Sequence, residues 1–249
     1  MSEPSAPTLP PSTADTAPPM PLLSRVIGIL TAPRATFQRV VAHPSWLPMV
    51  VLTAGFTALV MGAFLSTEVG QQAYVDQSVS AMEGWGRTVD DAGYAAIERQ
   101  ATLSRYINPA AILVISPIMT ALIAVLLYGL FSALYGGTAT YKQLLAVVAH
   151  SGAVSLVQQA FSMPLNYARQ SLSSPTNLSV FFPMLEEDSF LNALLGSIDL
   201  FIVWWVLVLA IGLSVLYKRP TRSTATVLFV LYAVIAVGFA LAKAAFSGA

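Results

Sequence analysis

Five long apolar segments constrain this chain more than any other feature of its sequence. They run approximately over residues 46–65, 110–135, 143–163, 196–217 and 224–246. Each is close to the ~20 residues that an α-helix needs to cross ~30 Å of hydrocarbon. Because 56% of the 249 residues are hydrophobic and only 10% are charged, the chain has too little polar surface for a soluble globule. The sequence therefore predicts an all-α, polytopic integral membrane bundle.

The distribution of charge predicts the number of spans and their direction. The loops at residues 66–108 and 165–189 carry more acidic than basic side chains, whereas the segments that alternate with them along the chain are basic. By the positive-inside rule, the N-terminus is expected in the cytoplasm and the C-terminus outside. Polar residues weaken the third segment, but removing it would place the basic residues 218–222 on the wrong side, so the pattern favours five spans over four. The basic residues that set this pattern are Arg25, Arg34, Arg39, Lys142, Lys218, Arg219 and Arg222.

Two shorter regions precede the five-helix membrane domain, which is expected to cover residues 46–246. Residues 1–21 are rich in Pro, Ser, Thr and Ala without a hydrophobic period, which is typical of a disordered tail. Residues 22–45 have apolar side chains on one side of a helical wheel and arginines mainly on the other, which predicts a cytoplasmic interfacial amphipathic helix, broken near Pro33. Its arginines either only set the topology or bind lipid phosphates or a partner.

Three stretches of this sequence carry a resemblance to a known family. They are "ILTAPRATFQRVVAHPSWLPMVVLTA", "LYGGTATYKQLLAVVAHSGAVSLV" and "IDLFIVWWVLVLAIGLSVL". Their order resembles the bacterial branch of the Ypt-interacting-protein (Yip) family: a Pro-x3-Phe entry to the first span, a Gly-Gly-x-Ala-Thr-Tyr turn, and an Asp-x-Phe-x3-Trp helix followed by Ala-Ile-Gly-Leu. The resemblance covers about residues 25–245. It implies five spans with a cytoplasmic N-terminus in a bacterial inner membrane, and no defined molecular activity.

The composition and the motifs do not favour enzyme chemistry. The chain has no cysteine and a formal net charge of zero, so we expect neither thiolate metal sites nor nucleic-acid binding. No zinc-protease, P-loop or nucleophile-elbow motif is present. We therefore predict no catalytic, cofactor-binding or metal-binding residue. The expected function is a membrane-embedded scaffold or interaction protein, with the lipid bilayer and a membrane or cytoplasmic protein as partners, and a homo-oligomer left open.

Polar residues inside the predicted spans offer an alternative function. At ~1.5 Å per residue, Asp199 and Lys243 lie at the same depth near the outer edge of the hydrocarbon. We predict that they contact each other, with Gln158 or Gln159 completing the cluster. With the deeper His150, this cluster could serve a small transporter or permease component. The structural alternatives are an interfacial salt bridge with Asp199 near a helix start, and a neutral histidine hydrogen-bonded between helices.

A second group of residues predicts an interaction surface on the cytoplasmic side. The turn around "YGGTATYKQ" has glycines for a helix stop and threonines for a helix start, and it lies beside "YKRPTRS" and the N-terminal arginines. Four-residue spacing of small side chains, at Ala54, Ala58 and Gly62 and again at Ala236, Ala240 and Ala244, predicts close helix packing within one bundle or between two copies. The predicted docking or lipid-binding face comprises Arg34, Arg39, Lys142, Lys218, Arg219 and Arg222.

Overall fold

The structure, a computed structural model, describes residues 20–186 and 189–247. The predicted disordered tail, residues 1–21, therefore lies almost entirely outside the described residues. Within these ranges the secondary structure is helical apart from an isolated bridge between Asn177 and Asp199, which confirms the all-α class. The α-helices are α1 Leu22–Thr31, α2 Pro33–Ala42, α3 Leu47–Leu65, α4 Glu68–Glu83, α5 Asp91–Tyr135, α6 Tyr141–Ser151, α7 Ala153–Arg169, α8 Phe190–Gly196, α9 Leu200–Leu216 and α10 Thr221–Ser247.

The region before the first span forms two helices that join at Pro33. Ala32 separates them with φ −142° and ψ 59°, and Pro33 starts α2, where its missing N–H costs no helical hydrogen bond. One side of this pair is buried against the rest of the protein through Val26, Ile29, Phe37 and Val40. Helices α1 and α2 are therefore packed into the bundle as well as amphipathic.

Four helical stretches are long and apolar enough to cross a membrane: Leu47–Leu65, Asp91–Tyr135, Tyr141–Arg169 and Thr221–Phe246. The third is α6 and α7 joined at Gly152, so the segment with the weakest hydropathy is among them. The segment expected over residues 196–217 instead forms the 17-residue helix α9. At ~1.5 Å per residue α9 is ~25 Å long, which is shorter than the ~30 Å hydrocarbon layer. Within residues 20–186 and 189–247, the structure thus gives four long candidate spans and two shorter apolar helices, α1 and α9.

Helix α5 is much longer than the predicted second span. It has 45 residues and includes Pro109 and Pro117 without interruption. At ~1.5 Å per residue it measures ~68 Å, about twice the hydrocarbon thickness. Its first 18 residues, with α4, occupy the acidic loop 66–108. Asp90 caps α5 by accepting from the Gly93 N–H at 2.8 Å.

The small-residue stripes face the interior of this single chain. Ala54, Ala58, Ala236 and Ala240 are all buried, and Gly62 and Ala244 are half-buried. A Cβ at Gly62 would lie 3.1 Å from Pro109 Cγ, so α3 and α5 approach closely there. Because lipid tails are as apolar as leucine, such close contact is an important source of helix association in a membrane. The described structure uses both stripes within one bundle.

Candidate functional site at the basic end of the bundle

The Phe37 ring anchors α2 against the membrane helices. This side chain is 0% exposed, and it lies beside Gly212 of α9, where an added Cβ would come within 3.0 Å of its Cε1 and Cζ atoms and 2.5 Å of Val147 Cγ1. The ring fits because Gly212 has no side chain. Three helices, α2, α6 and α9, therefore meet at one tightly packed point.

The turn between α5 and α6 is built by its glycines and a capping box. Gly136 and Gly137 have φ values of 62° and 106°, the left-handed region in which a side chain is disfavoured. Thr140 Oγ1 accepts from the Gln143 N–H, and Gln143 Oε1 accepts from the Thr140 N–H. Gln143 Nε2 also donates to the Val41 carbonyl at 3.2 Å. The predicted turn thus forms and is tied to the end of α2.

The turn between α9 and α10 is tied to the same end of the molecule. Arg34 Nη1 donates to Thr221 Oγ1 at 3.3 Å. Arg219 Nη2 donates to the Tyr135 carbonyl at 3.4 Å and its guanidinium lies 5.2 Å from the centre of the Tyr135 ring. The Tyr135 hydroxyl is hydrogen-bonded to Ser223 Oγ at 2.9 Å. We call the assembly of α1, α2 and these two turns the basic end.

Two hollows open at the basic end. The first hollow has a volume of about 470 Å³, and the second about 600 Å³. Neither lining contains Asp or Glu, so nearby carboxylates do not neutralise the cations that face these spaces. The charged or ionisable lining residues are Arg25, Arg39, His43 and Lys142 in the first hollow, and Arg34, Lys218 and Arg219 in the second.

The structure thus divides the predicted docking face between two sites. Arg39 and Lys142 share the first hollow, whereas Arg34, Lys218 and Arg219 share the second; Arg222 is exposed and lines neither. Arg25 and His43 were not among the residues predicted for this face. Arg25 was predicted only as one of the arginines of residues 22–45, which either set the topology or bind lipid phosphates or a partner. The lone His43 gave no sequence signal that it would join Arg39 and Lys142.

Asp199 has a structural environment that differs from the predicted ion pair. It is 4% exposed and caps α9, with Oδ1 accepting from the Phe201 and Ile202 N–H groups at 2.8 and 3.3 Å. Its Oδ2 accepts from Ser174 Oγ at 2.5 Å and Thr176 Oγ1 at 2.6 Å. The predicted partner Lys243 is not among these contacts. Four donors hold the carboxylate where α9 begins, a helix-start role that the sequence had offered as an alternative.

The other residues of the predicted cluster lie in different surroundings. His150 is 0% exposed; its Nδ1 lies 2.7 Å from the Ala146 carbonyl, and Nε2 has no hydrogen-bond partner within the described ranges. Lys243 lies beside Gly84 and lines a groove of about 940 Å³ together with Asp76 and Glu83, and we call the part of the molecule around this groove the acidic end. Gln158 and Gln159 are half-buried on α7. For these residues the structure describes no common site.

Comparison with known proteins identifies the class to which this bundle belongs. A family model described as the Yip1 domain matches residues 27–242, and this chain belongs to that family. A curated relative, "Membrane protein YknW" of Bacillus subtilis (strain 168), is 28% identical over 200 residues, which cover 76% of this chain and 76% of the relative. No solved structure matches the chain. The resemblance and the integral membrane location, consistent with a bacterial inner membrane, are confirmed.

The motifs that carry the resemblance have clear structural roles. Phe37 of the Pro-x3-Phe motif packs on Gly212 of Ala-Ile-Gly-Leu. Thr140 of the glycine-rich turn caps α6, and Asp199 of Asp-x-Phe-x3-Trp caps α9. These motifs therefore hold the helices together, and two of the three contacts belong to the basic end.

Proposed function

We propose that this protein is a five-span scaffold whose basic end faces the cytoplasm and docks an acidic protein partner. The observation that carries the proposal is the segregation of charge. Residues 20–67, 99–185 and 200–247 contain no Asp or Glu, and they include every described basic residue of α1, α2 and the two turns. A surface with cations from four segments and no carboxylates attracts anionic groups and repels cationic ones. No catalytic step is assigned.

The five-span part of the proposal depends on whether α9 crosses the bilayer. Helix α9 is 17 residues long and almost wholly apolar, and a short span can be accommodated by local thinning of the bilayer. A crossing α9 keeps the basic residues 218–222 on the same side as Arg34 and Lys142, which agrees with the positive-inside rule. It also agrees with the direct contact between Arg34 and Thr221.

Single cysteines would test this topology because the natural chain has none. Thr138→Cys lies in the α5–α6 turn and Arg222→Cys at the start of α10, whereas Thr88→Cys and Ser173→Cys lie near the acidic end. All four positions are exposed. We expect a membrane-impermeant maleimide to label only Thr88→Cys and Ser173→Cys in intact cells, and all four after lysis. Labelling of Arg222→Cys but not Thr138→Cys in intact cells would contradict a crossing α9.

Charge reversal would test the docking surface. Crosslinking and mass spectrometry in membranes with matched protein levels would compare the wild type with two basic-end variants, Lys218→Glu and Arg222→Glu. The matched controls are Arg87→Glu and Arg99→Glu, which change the same charge elsewhere. A partner recovered with the wild type should be lost only from the basic-end variants. Equal recovery from all four variants, or recovery of self-contacts alone, would contradict the proposal.

A further inference from the structure

The first hollow has the chemistry of a binding site for a phosphate group. Arg25, Arg39 and Lys142 come from three helices, α1, α2 and α6, and they line the hollow with His43 and without a carboxylate. Within residues 20–186 and 189–247, the side chains of Arg39 and Lys142 make no hydrogen bond or ion pair, and both residues are exposed. Arg25 Nε donates to the Met20 carbonyl at 2.7 Å. Cations held close together without an anionic neighbour repel one another, and a bound phosphate would relieve that repulsion.

The position of the first hollow matches the depth of lipid headgroups. Its lining residues Ala42, His43, Pro44 and Ser45 directly precede α3, and Lys142 is the second residue of α6. Helices α3 and α6–α7 are two of the long candidate spans. The hollow therefore lies where two helices enter the hydrocarbon, which is the level of phospholipid phosphates.

Exposed apolar side chains on the helices around the first hollow favour a lipid over a soluble anion. Leu23 and Ile27 project from α1 with 69% and 54% of their surface exposed, and Leu47 and Val51 project from the start of α3. Exposed aliphatic side chains on the helices that also form a basic hollow provide contacts for acyl chains. A free phosphate or a phosphoprotein would use only the cations.

The second hollow differs in how its arginines are used. Arg34 contacts Thr221, and Arg219 contacts the carbonyl and the ring of Tyr135. These arginines hold the α9–α10 turn in place, so their charges are already directed toward protein groups. Of the two hollows, the first has more cationic groups available to a ligand.

We propose that the first hollow binds the phosphate headgroup of an anionic phospholipid through Arg25, Arg39 and Lys142. This inference rests on the proposed function, because it assumes that the basic end lies in the headgroup region. Its occupant is a lipid of the surrounding leaflet, whereas the acidic protein partner is expected at Lys218 and Arg222. A lipid held between α2 and the starts of α3 and α6 would order the basic end.

Native mass spectrometry of the purified full chain would test this proposal. The protein in detergent is titrated with phosphatidylglycerol and, separately, with phosphatidylcholine. The test variant combines Arg39→Gln with Lys142→Gln; the matched control combines Lys218→Gln with Arg222→Gln and loses the same charge. Each cation near an anionic lipid contributes about 1 kcal/mol of binding free energy, and about 1.4 kcal/mol corresponds to a tenfold change in affinity. The test variant loses two cations, so it should bind phosphatidylglycerol about thirtyfold more weakly. The control variant should retain the wild-type affinity.

Three other outcomes would overturn the proposal. Equal weakening in both double variants would indicate diffuse attraction to the whole basic end. An unchanged affinity in the test variant would exclude the hollow. Competition by inorganic phosphate at the lipid's own concentration would identify a site for soluble anions. Because this measurement is made in detergent, its result does not depend on membrane orientation, which the cysteine labelling tests separately.

Discussion

Replacing Gly212 by alanine should disturb the contact that joins α2 to the membrane helices. The new Cβ would lie 2.5 Å from Val147 Cγ1 and 3.0 Å from two ring carbons of Phe37. Ordinary contacts between carbon atoms are ~3.5–4.0 Å. Val147 is stiff at χ1 because it is β-branched, and Phe37 is fully buried, so neither side chain can simply move into solvent.

The expected cost follows from overpacking and helix propensity together. Overpacking of a well-packed core costs ~1–3 kcal/mol, whereas Gly→Ala in a helix gains up to ~1 kcal/mol. Gly238 on α10 provides a matched control, because an added Cβ there meets no atom within 4 Å. The two variants share the propensity gain, so Gly212→Ala should be less stable than Gly238→Ala by ~1–3 kcal/mol.

Unfolding of the purified protein by SDS in mixed micelles would measure this difference. Val147→Ala removes the nearest clashing methyl group, so the cost of Gly212→Ala in that background should fall below ~1 kcal/mol. Two results would refute the reasoning. One is a free energy of unfolding for Gly212→Ala within ~0.5 kcal/mol of that for Gly238→Ala, and the other is an undiminished cost in the Val147→Ala background.

The same unfolding measurement checks three further predictions. Asp199→Ala leaves two hydroxyls and two N–H groups without their acceptor, so it should lower the free energy of unfolding by ~2–3 kcal/mol. Asp199→Asn keeps an acceptor and should lower it less. Equal losses of stability in the two variants would contradict the capping role. Thr140→Ala should cost ~1 kcal/mol through loss of the capping box, and Thr138→Ala less than ~0.5 kcal/mol. Ala240→Leu should destabilise the protein by ~1–3 kcal/mol because Ala240 is 0% exposed. The control Val234→Leu, at a 64% exposed position, should be nearly neutral. Similar effects of the two substitutions would show that α10 does not pack through Ala240.

Local patterns in the sequence correctly predicted the local structures that depend on a few neighbouring residues. The glycine pair and Thr140 predicted a helix stop and a helix start, and both are present. The break at Pro33 is a property of that residue and its neighbours. The segment containing His150 was predicted to be helical despite its polar residues, and it lies in a long candidate span.

Contacts that depend on how a loop folds back against a helix could not be predicted from the sequence. Asp199 and Lys243 were placed at one depth by counting residues, but the count could not include the turn at residues 170–177 that brings Ser174 and Thr176 onto Asp199. The start of α9 at Leu200 follows from this cap and shortens the expected span. Depth along a helix is a one-dimensional estimate, and it does not identify which loop folds back.

The sequence by itself determined that this protein is an all-α membrane protein, because twenty-residue apolar segments have few stable alternatives to a helix in lipid. It also determined which loops are basic. Only the tertiary structure decided that Arg25, Arg39, His43 and Lys142 share one hollow while Arg34, Lys218 and Arg219 share another. The physical reason is that this grouping depends on the close packing of Phe37, Gly212 and Val147 across three helices, which no local pattern specifies.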